Sequence, residues 1–329
     1  MVVAFLGALI LIVGALAFLT VQVERGKRRS AEELASAGPY SKLSPFGAVR
    51  RLSVLPLADY YTGSAALKGE PGVSYLIRAD DTTILLDVGL NAGAAHPSPL
   101  LHNMRTLSID PARIDMLFFS HVHSDHSGGL REFRAGEFSL SQGAVALRSI
   151  PAYAPAPLKP SQWNPGPRVE VVQGPKVLGT GIASLGPMPR YLFLLGYVRE
   201  QALAVNVAGK GIVLIVGCGH QGVAALVRRA QEIFDEPLYG ILGGLHLPVD
   251  GGRVKVGFLD LQQIVASDRF PWPGRGEDDV REALETLQRF NLGIVAISPH
   301  DSSDWTINQF KQAFGARYRE IKVGEELTI

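Results

Sequence analysis

The chain has 329 residues, 47% of them apolar, with 36 glycines, 21 prolines and a net charge of +1. That length permits a large core, and a near-neutral chain with no long basic stretch beyond residues 25–29 carries no nucleic-acid footprint, so none is expected as a partner. A single cysteine, Cys218, excludes an intramolecular disulfide and an all-thiolate zinc cluster.

Residues 2–23 carry no charge and are almost all apolar, enough to cross a hydrocarbon core of about 30 Å. Arg25, Lys27, Arg28 and Arg29 follow at once. A signal peptide has its positive charge before the apolar run, so the reversed order predicts an uncleaved single-pass anchor in the lipid bilayer. The positive-inside rule then places the rest of the chain in the cytoplasm. A cleaved or oppositely oriented leader is the competing reading. Residues 24–46 are charged and then contain Ala, Ser, Gly and Pro without a sustained period, which predicts a linker, and residues 47–329 form the remaining domain.

Leu52–Leu55, Ser74–Ile77 and Thr83–Gly89 read as strands, the last ending in a polar turn. Leu100, Leu101, Met104 and Leu107 lie near helical spacing and predict a helix over 99–107. The apolar run Ile114–Phe119 predicts a strand. Residues 150–190 hold many prolines and little periodicity, which predicts a long functional loop or lid. Ala202–Val207 and Gly211–Val216 read as a hairpin. A helix over 223–234, a strand over 238–242, a helix over 278–290, a strand over 293–297 and a helix over 307–314 complete the run. Strands in a meander, then strands alternating with helices, predict two sheets packed face to face with helices outside.

The most informative stretch is Ser120-His121-Val122-His123-Ser124-Asp125-His126-Ser127-Gly128-Gly129. It packs three imidazoles and a carboxylate into six residues directly after a strand. Neutral imidazole and carboxylate are the ligands of Zn²⁺ and similar cations. Each later candidate also sits just past an apolar strand: Cys218 and His220, His246, and His300. His220 and His300 are read as ligands. His246 is either a ligand or a residue that binds substrate or orients a ligand. Cys218 is either a thiolate ligand or a small buried apolar residue. His96 and His102 lack such context.

Taken together, these motifs resemble the metallo-β-lactamase fold superfamily of metal-dependent hydrolases. Leu101-His102-Asn103-Met104, the run Ile109–Asp115 into His121, Gly217–Gly222, Gly243–Leu247 and Ser298-Pro299-His300 look like the group named after a dihydropterin–ribofuranosylaminobenzene phosphate synthase. The resemblance covers residues 52–329. It implies an αββα four-layer sandwich with one or two divalent metals, usually Zn²⁺, with Mn²⁺ or Fe possible. By matching position, His121 and His123 would bind one metal, Asp125 and His126 the other, and His220 and His300 would complete the pair. Asp87 matches a structural aspartate that buttresses the metal loop.

Departures surround the substrate side. His300-Asp301-Ser302-Ser303 stands where the group reads His-Cys-Thr-Gly, Gly186–Arg190 matches only loosely, Arg199-Glu200 precede Gln201, and Asp250–Asp279 looks like an addition. The expected function is therefore a membrane-anchored hydrolase acting through a metal-bound hydroxide that Asp125 orients or whose proton it shuttles. Arg190 and His246, where they line the pocket, would neutralise the negative charge that develops on a small-molecule phosphoester, phosphodiester or ester, His246 as a catalytic residue and Arg190 as a substrate-binding one. A pterin-related synthase or a non-catalytic tethered domain is the alternative. The sequence sets no oligomeric state.

Overall fold

In the computed structural model, which describes every residue except 1, 254, 257–258, 266–268 and 270–273, three apolar clusters separate four layers. The strand Gly211–Val216 shows how one sequence feeds two of them. Ile212, Leu214 and Val216 face the cluster under the helices Val223–Ile233, Glu277–Gln288 and Asp304–Phe314, whereas Val213 and Ile215 face the other sheet. Side chains alternate across a strand, so a strand buried on both faces reads as an unbroken apolar run.

The first sheet has seven strands in the order Leu327–Thr328, Leu52–Ala58, Ser74–Ala79, Thr82–Leu86, Met116–Phe118, Pro151–Ala154 and Arg168–Val171. Its outer face packs on the helix Pro99–Thr106 through Leu57, Leu76, Leu85 and Leu117 against Leu100, Leu101 and Met104. The second sheet has six, in the order Ile294–Ile297, Leu238–Gly243, Gly211–Val216, Leu203–Val207, Ile182–Ser184 and Lys176–Gly179. Helix, sheet, sheet and helix give the expected sandwich. Leu238–Gly243 runs parallel to both of its neighbours, so three successive strands end on the same edge.

Two expectations about the chain path are corrected. Residues 150–190 are not a structureless lid: they hold six strands of two to five residues. Their prolines sit where strands tolerate them, as Pro151 does at a strand start, and elements so short leave no legible period. The expected linker is also helical over its first half. The N-terminal helix α1 spans Val2–Ser36, because Glu24, Lys27, Glu32, Glu33 and Leu34 are strong helix formers.

By length and composition α1 is long and apolar enough to cross a membrane. Leu9 to Val13, Phe18 and Val21 are exposed. Past Val23 the same helix docks on the hairpin Met188–Leu192/Gly196–Glu200. Glu33 accepts from Arg199 Nε at 2.8 Å and from the Tyr197 hydroxyl, and the Arg29 guanidinium lies 4.8 Å from the Tyr197 ring centroid. The helix backbone at Gly26 lies so close to Tyr191 that a Cβ there would fall 2.1 Å from its ring.

Candidate metal centre

Phe118 ends a strand that lies between two parallel neighbours, and two residues later the chain turns sharply enough to gather three histidines. His123 caps a single turn, Ser124–Ser127, with His126 N and Ser127 N both donating to its carbonyl at 3.0 Å. Gly128 closes the turn at φ +96°, and a Cβ there would meet Ser139 O at 2.0 Å, so only glycine fits. Asp87, fully buried, holds the loop from below. It accepts from Ser120 N at 2.8 Å, Ser120 Oγ at 2.6 Å and His126 Nδ1 at 2.7 Å. The last bond leaves His126 Nε2 aimed away from Asp87.

The three parallel strand ends of the second sheet deliver the rest. Cys218 and His220 follow Gly211–Val216, His246 follows Leu238–Gly243, and His300 follows Ile294–Ile297. Glu200 ties the first of these ends: it accepts from the backbone N–H of Cys218, Gly219 and His220 and from His220 Nδ1 at 2.8 Å. Asp301 accepts from His246 N at 2.9 Å. His300 N donates to Ser298 Oγ, whose hydroxyl donates to buried Asp59 at 2.7 Å.

Across the gap between the sheets these ends form two ligand groups. His121, His123 and His220 make one; Asp125, His126, Cys218 and His300 make the other. In each group the donor atoms lie within 4.8 Å of one another. Asp125 Oδ2 stands 3.1 Å from His300 Nε2 and 3.6 Å from His126 Nε2, and Cys218 Sγ stands 3.0 Å from His126 Nε2. The rings of His121 and His126 are 4.0 Å apart, so the groups adjoin.

The electrostatics suit cations. Burial pushes His121 well below the ordinary imidazole range and takes His123 down to about 4, which leaves both neutral, the form that ligates. Burial would raise Asp125, but the neighbouring His126 and His300 outweigh it and hold the carboxylate ionised. His126 goes the other way: burial opposes its charge, yet Asp125 and Asp87 lift it to about 9. Positive charge is therefore favoured beside His126. The buried Nε2 of His121 and Nδ1 of His246 and His300 have no hydrogen-bond partner. His121 Nε2 lies in the first ligand group, where an unpartnered imidazole nitrogen among other donors is what a bound cation satisfies, and the imidazole, carboxylate and thiol donors of the second group are likewise a divalent-cation set.

A cavity of about 430 Å³ opens over the groups. His123, Asp125, Cys218, His220, His246 and His300 line its floor, and Leu90, Leu130, Phe133 and Leu195 its walls. His246 lies outside both ligand groups, its ring 4.8 Å from that of His220. His300, the other candidate for the last ligand, lies inside one. Arg190, expected at the substrate, does not line this cavity. Its guanidinium donates to Gln221 O at 3.0 Å and borders a separate depression, because the hairpin that carries it leans on the far side of the turn after His220. His96 and His102 lie elsewhere, bonded to Ser141 and to the Ala66 carbonyl.

Sequence reasoning did not assign roles to Glu200, Asp301, Asp59 or Gln262. The replacement of a group-typical pattern at Arg199-Glu200 and at Asp301 was the one signal that pointed to two of them. Gln262 belongs to the segment Asp250–Asp279, part of which lies outside the described residues. It lines the cavity and donates to His300 O at 3.1 Å.

The family model of the metallo-beta-lactamase superfamily matches residues 67–228. The chain is 25% identical over 238 residues to 7,8-dihydropterin-6-methyl-4-(beta-D-ribofuranosyl)-aminobenzene-5'-phosphate synthase of Methanocaldococcus jannaschii, covering 62% of this chain and 81% of that protein. A metal-dependent hydrolase of the beta-lactamase superfamily superposes with a TM-score of 0.55 at 18% identity, over 84% of this chain and 99% of the other. The metallo-beta-lactamase fold protein YhfI of Bacillus subtilis superposes with a TM-score of 0.50 at 15% identity, over 85% of this chain and all of the other. The structural likenesses establish the fold.

Proposed function

Residues 67–228 are a domain of the metallo-beta-lactamase superfamily, and from that premise we propose that the chain is a membrane-anchored metal-dependent hydrolase of a phosphoester, phosphodiester or ester. The observation that carries this reading is the pair of ligand groups at the floor of one cavity. His121, His123 and His220 would hold one divalent cation, and Asp125, His126, His300 and Cys218 a second. Such cations lower the pKa of water to about 7 and polarise a carbonyl or phosphoryl oxygen.

The chain's own residues do the remaining work. Asp87 and Glu200 fix the tautomer and orientation of His126 and His220 through their Nδ1 atoms. Asp125, held ionised and partly open to the cavity, would orient the attacking water through its carboxylate oxygen. His246, kept neutral by burial, presents an imidazole to the leaving group. Leu90, Leu130, Phe133 and Leu195 exclude water and take an apolar part of the substrate.

Elemental analysis of the full chain, purified without chelator, is expected to give about two metal ions per chain. His220→Ala and His300→Ala are each expected to lose about one. Absence of metal after reconstitution with zinc, manganese or iron would overturn the hydrolase reading. A pterin-related synthase is the second reading, favoured by the 25% identity to the archaeal enzyme. Turnover of pterin and aminobenzene phosphate precursors, with none of simple esters, would select it.

The exposed apolar half of α1 supports the anchor, and Arg25, Lys27, Arg28 and Arg29 beside it favour a cytoplasmic domain. A C-terminal reporter active only outside the cytoplasm is expected to stay silent; activity there would reverse the orientation.

A further inference from the structure

Behind the turn that carries His220, a second depression of about 260 Å³ opens at the start of the helix Val223–Ile233. The N–H groups of Val223, Ala224 and Ala225 point out of the first turn without intrahelical acceptors, and Gly222 at the N-cap has no side chain to meet them. The aligned peptide dipoles of this 11-residue helix add partial positive charge at the same point.

Gln221 supplies an independent observation. Its side chain lines the depression, is only 3% exposed, and has no hydrogen-bond partner among the described residues at either Nε2 or Oε1. A buried amide left unmatched is costly, and a ligand in the depression would match it.

Guanidiniums complete the enclosure. Arg190 is steered there by its bond to Gln221 O at 3.0 Å, and Arg275 by its bond to His220 O at 2.8 Å. Arg228 reaches in from the second turn of the helix. Of the acidic residues at the rim, Asp279 meets Arg269 at 2.9 Å, which leaves Glu282 facing the other three arginines among the described residues. Backbone amides at a helix start, planar guanidiniums and an amide donor are the donor set of a phosphoryl group.

We propose that this depression is a phosphoryl-binding site, distinct from the metal groups, formed by the first turn of the helix Val223–Ile233 with Gln221, Arg190, Arg228 and Arg275. The inference goes beyond the hydrolase reading and uses no metal-ligating side chain. One turn, His220–Gly222, carries both a metal-group histidine and the anion site.

The test is isothermal titration of inorganic phosphate into the full-length, metal-loaded protein and into its His121→Ala variant. Binding of about one phosphate is expected to survive in His121→Ala. Arg228→Gln, at an exposed side chain that the fold does not need, and Arg190→Gln are each expected to weaken it about tenfold. Arg228→Lys should recover part of the loss. Phosphate binding that disappears in His121→Ala, or that is unchanged in both glutamine variants, would overturn the proposal. Phenyl phosphate then distinguishes the source. Displacement of inorganic phosphate by it means that the site takes a phosphorylated molecule, and failure to displace means that it takes the free ion.

Discussion

Asp125→Asn is expected to lower kcat about a thousandfold while leaving the protein folded. The substitution keeps the size of the side chain, and the Asp125 carbonyl that accepts from Val73 N is backbone and unaffected. What disappears is the negative charge between His300 Nε2 at 3.1 Å and His126 Nε2 at 3.6 Å. Among the described residues Asp125 is the sole carboxylate in the two ligand groups, so on the proposed reading its charge would stabilise a cation there and its oxygen would orient the attacking water. A neutral amide does neither. A thousandfold loss corresponds to about 4 kcal/mol of transition-state stabilisation. The measurement is kcat with metal content on the same preparation, using any ester or phosphodiester that the native chain turns over. Full turnover by the asparagine variant would remove Asp125 from the chemistry.

Asp87→Ala should have the largest effect on stability, a loss of about 3–5 kcal/mol, as expected when one partner of a buried charged pair is deleted. The side chain satisfies three donors at once, all of them buried, from two different residues. Alanine would remove the carboxylate acceptor of Ser120 N, Ser120 Oγ and His126 Nδ1, and alanine also resists the left-handed φ of +54° found here. Asp87→Asn should cost less, since asparagine tolerates that φ and keeps one acceptor oxygen. Urea unfolding of metal-loaded and chelator-treated protein reads both variants. A change of less than about 1 kcal/mol for Asp87→Ala in the chelated state would show that the loop does not depend on this carboxylate.

Both predictions start from residues that the sequence displayed openly. His121, His123, Asp125 and His126 are legible because they follow one strand within six residues. His220, His246 and His300 are legible because each stands just past an apolar run. The sheets were legible for a related reason: Gly211–Val216 is buried on both faces and apolar throughout, and Leu238–Gly243 is nearly so, with only Tyr239 half-buried. The strands within 150–190 were not, since elements of two to five residues interrupted by proline carry no period.

Partners that come from elsewhere in the chain were a different matter. Nothing near Cys218 states that its sulfur meets His126, because that contact exists only once the two sheets close on each other. Glu200 reads as a polar residue ending a hairpin strand until the fold sets its carboxylate under three successive N–H groups and the ring of His220. Arg190 shows the opposite error. Its residue type suited a substrate contact, but its hairpin leans past the His220 turn and delivers the charge to the helix start instead.

The sequence by itself thus determined the alternation of sheet and helix, the apolar N-terminal helix and which imidazoles could gather at one edge. Each of these is written in the spacing of near neighbours and in strand-end position. Tertiary structure alone decided that His300 joins a ligand group and His246 does not, that Cys218 lies among the donors, and that α1 continues past Val23 to grip a hairpin. Those outcomes depend on how two twisted sheets pack, and that packing is set by the summed burial of three apolar clusters rather than by any local run of residues.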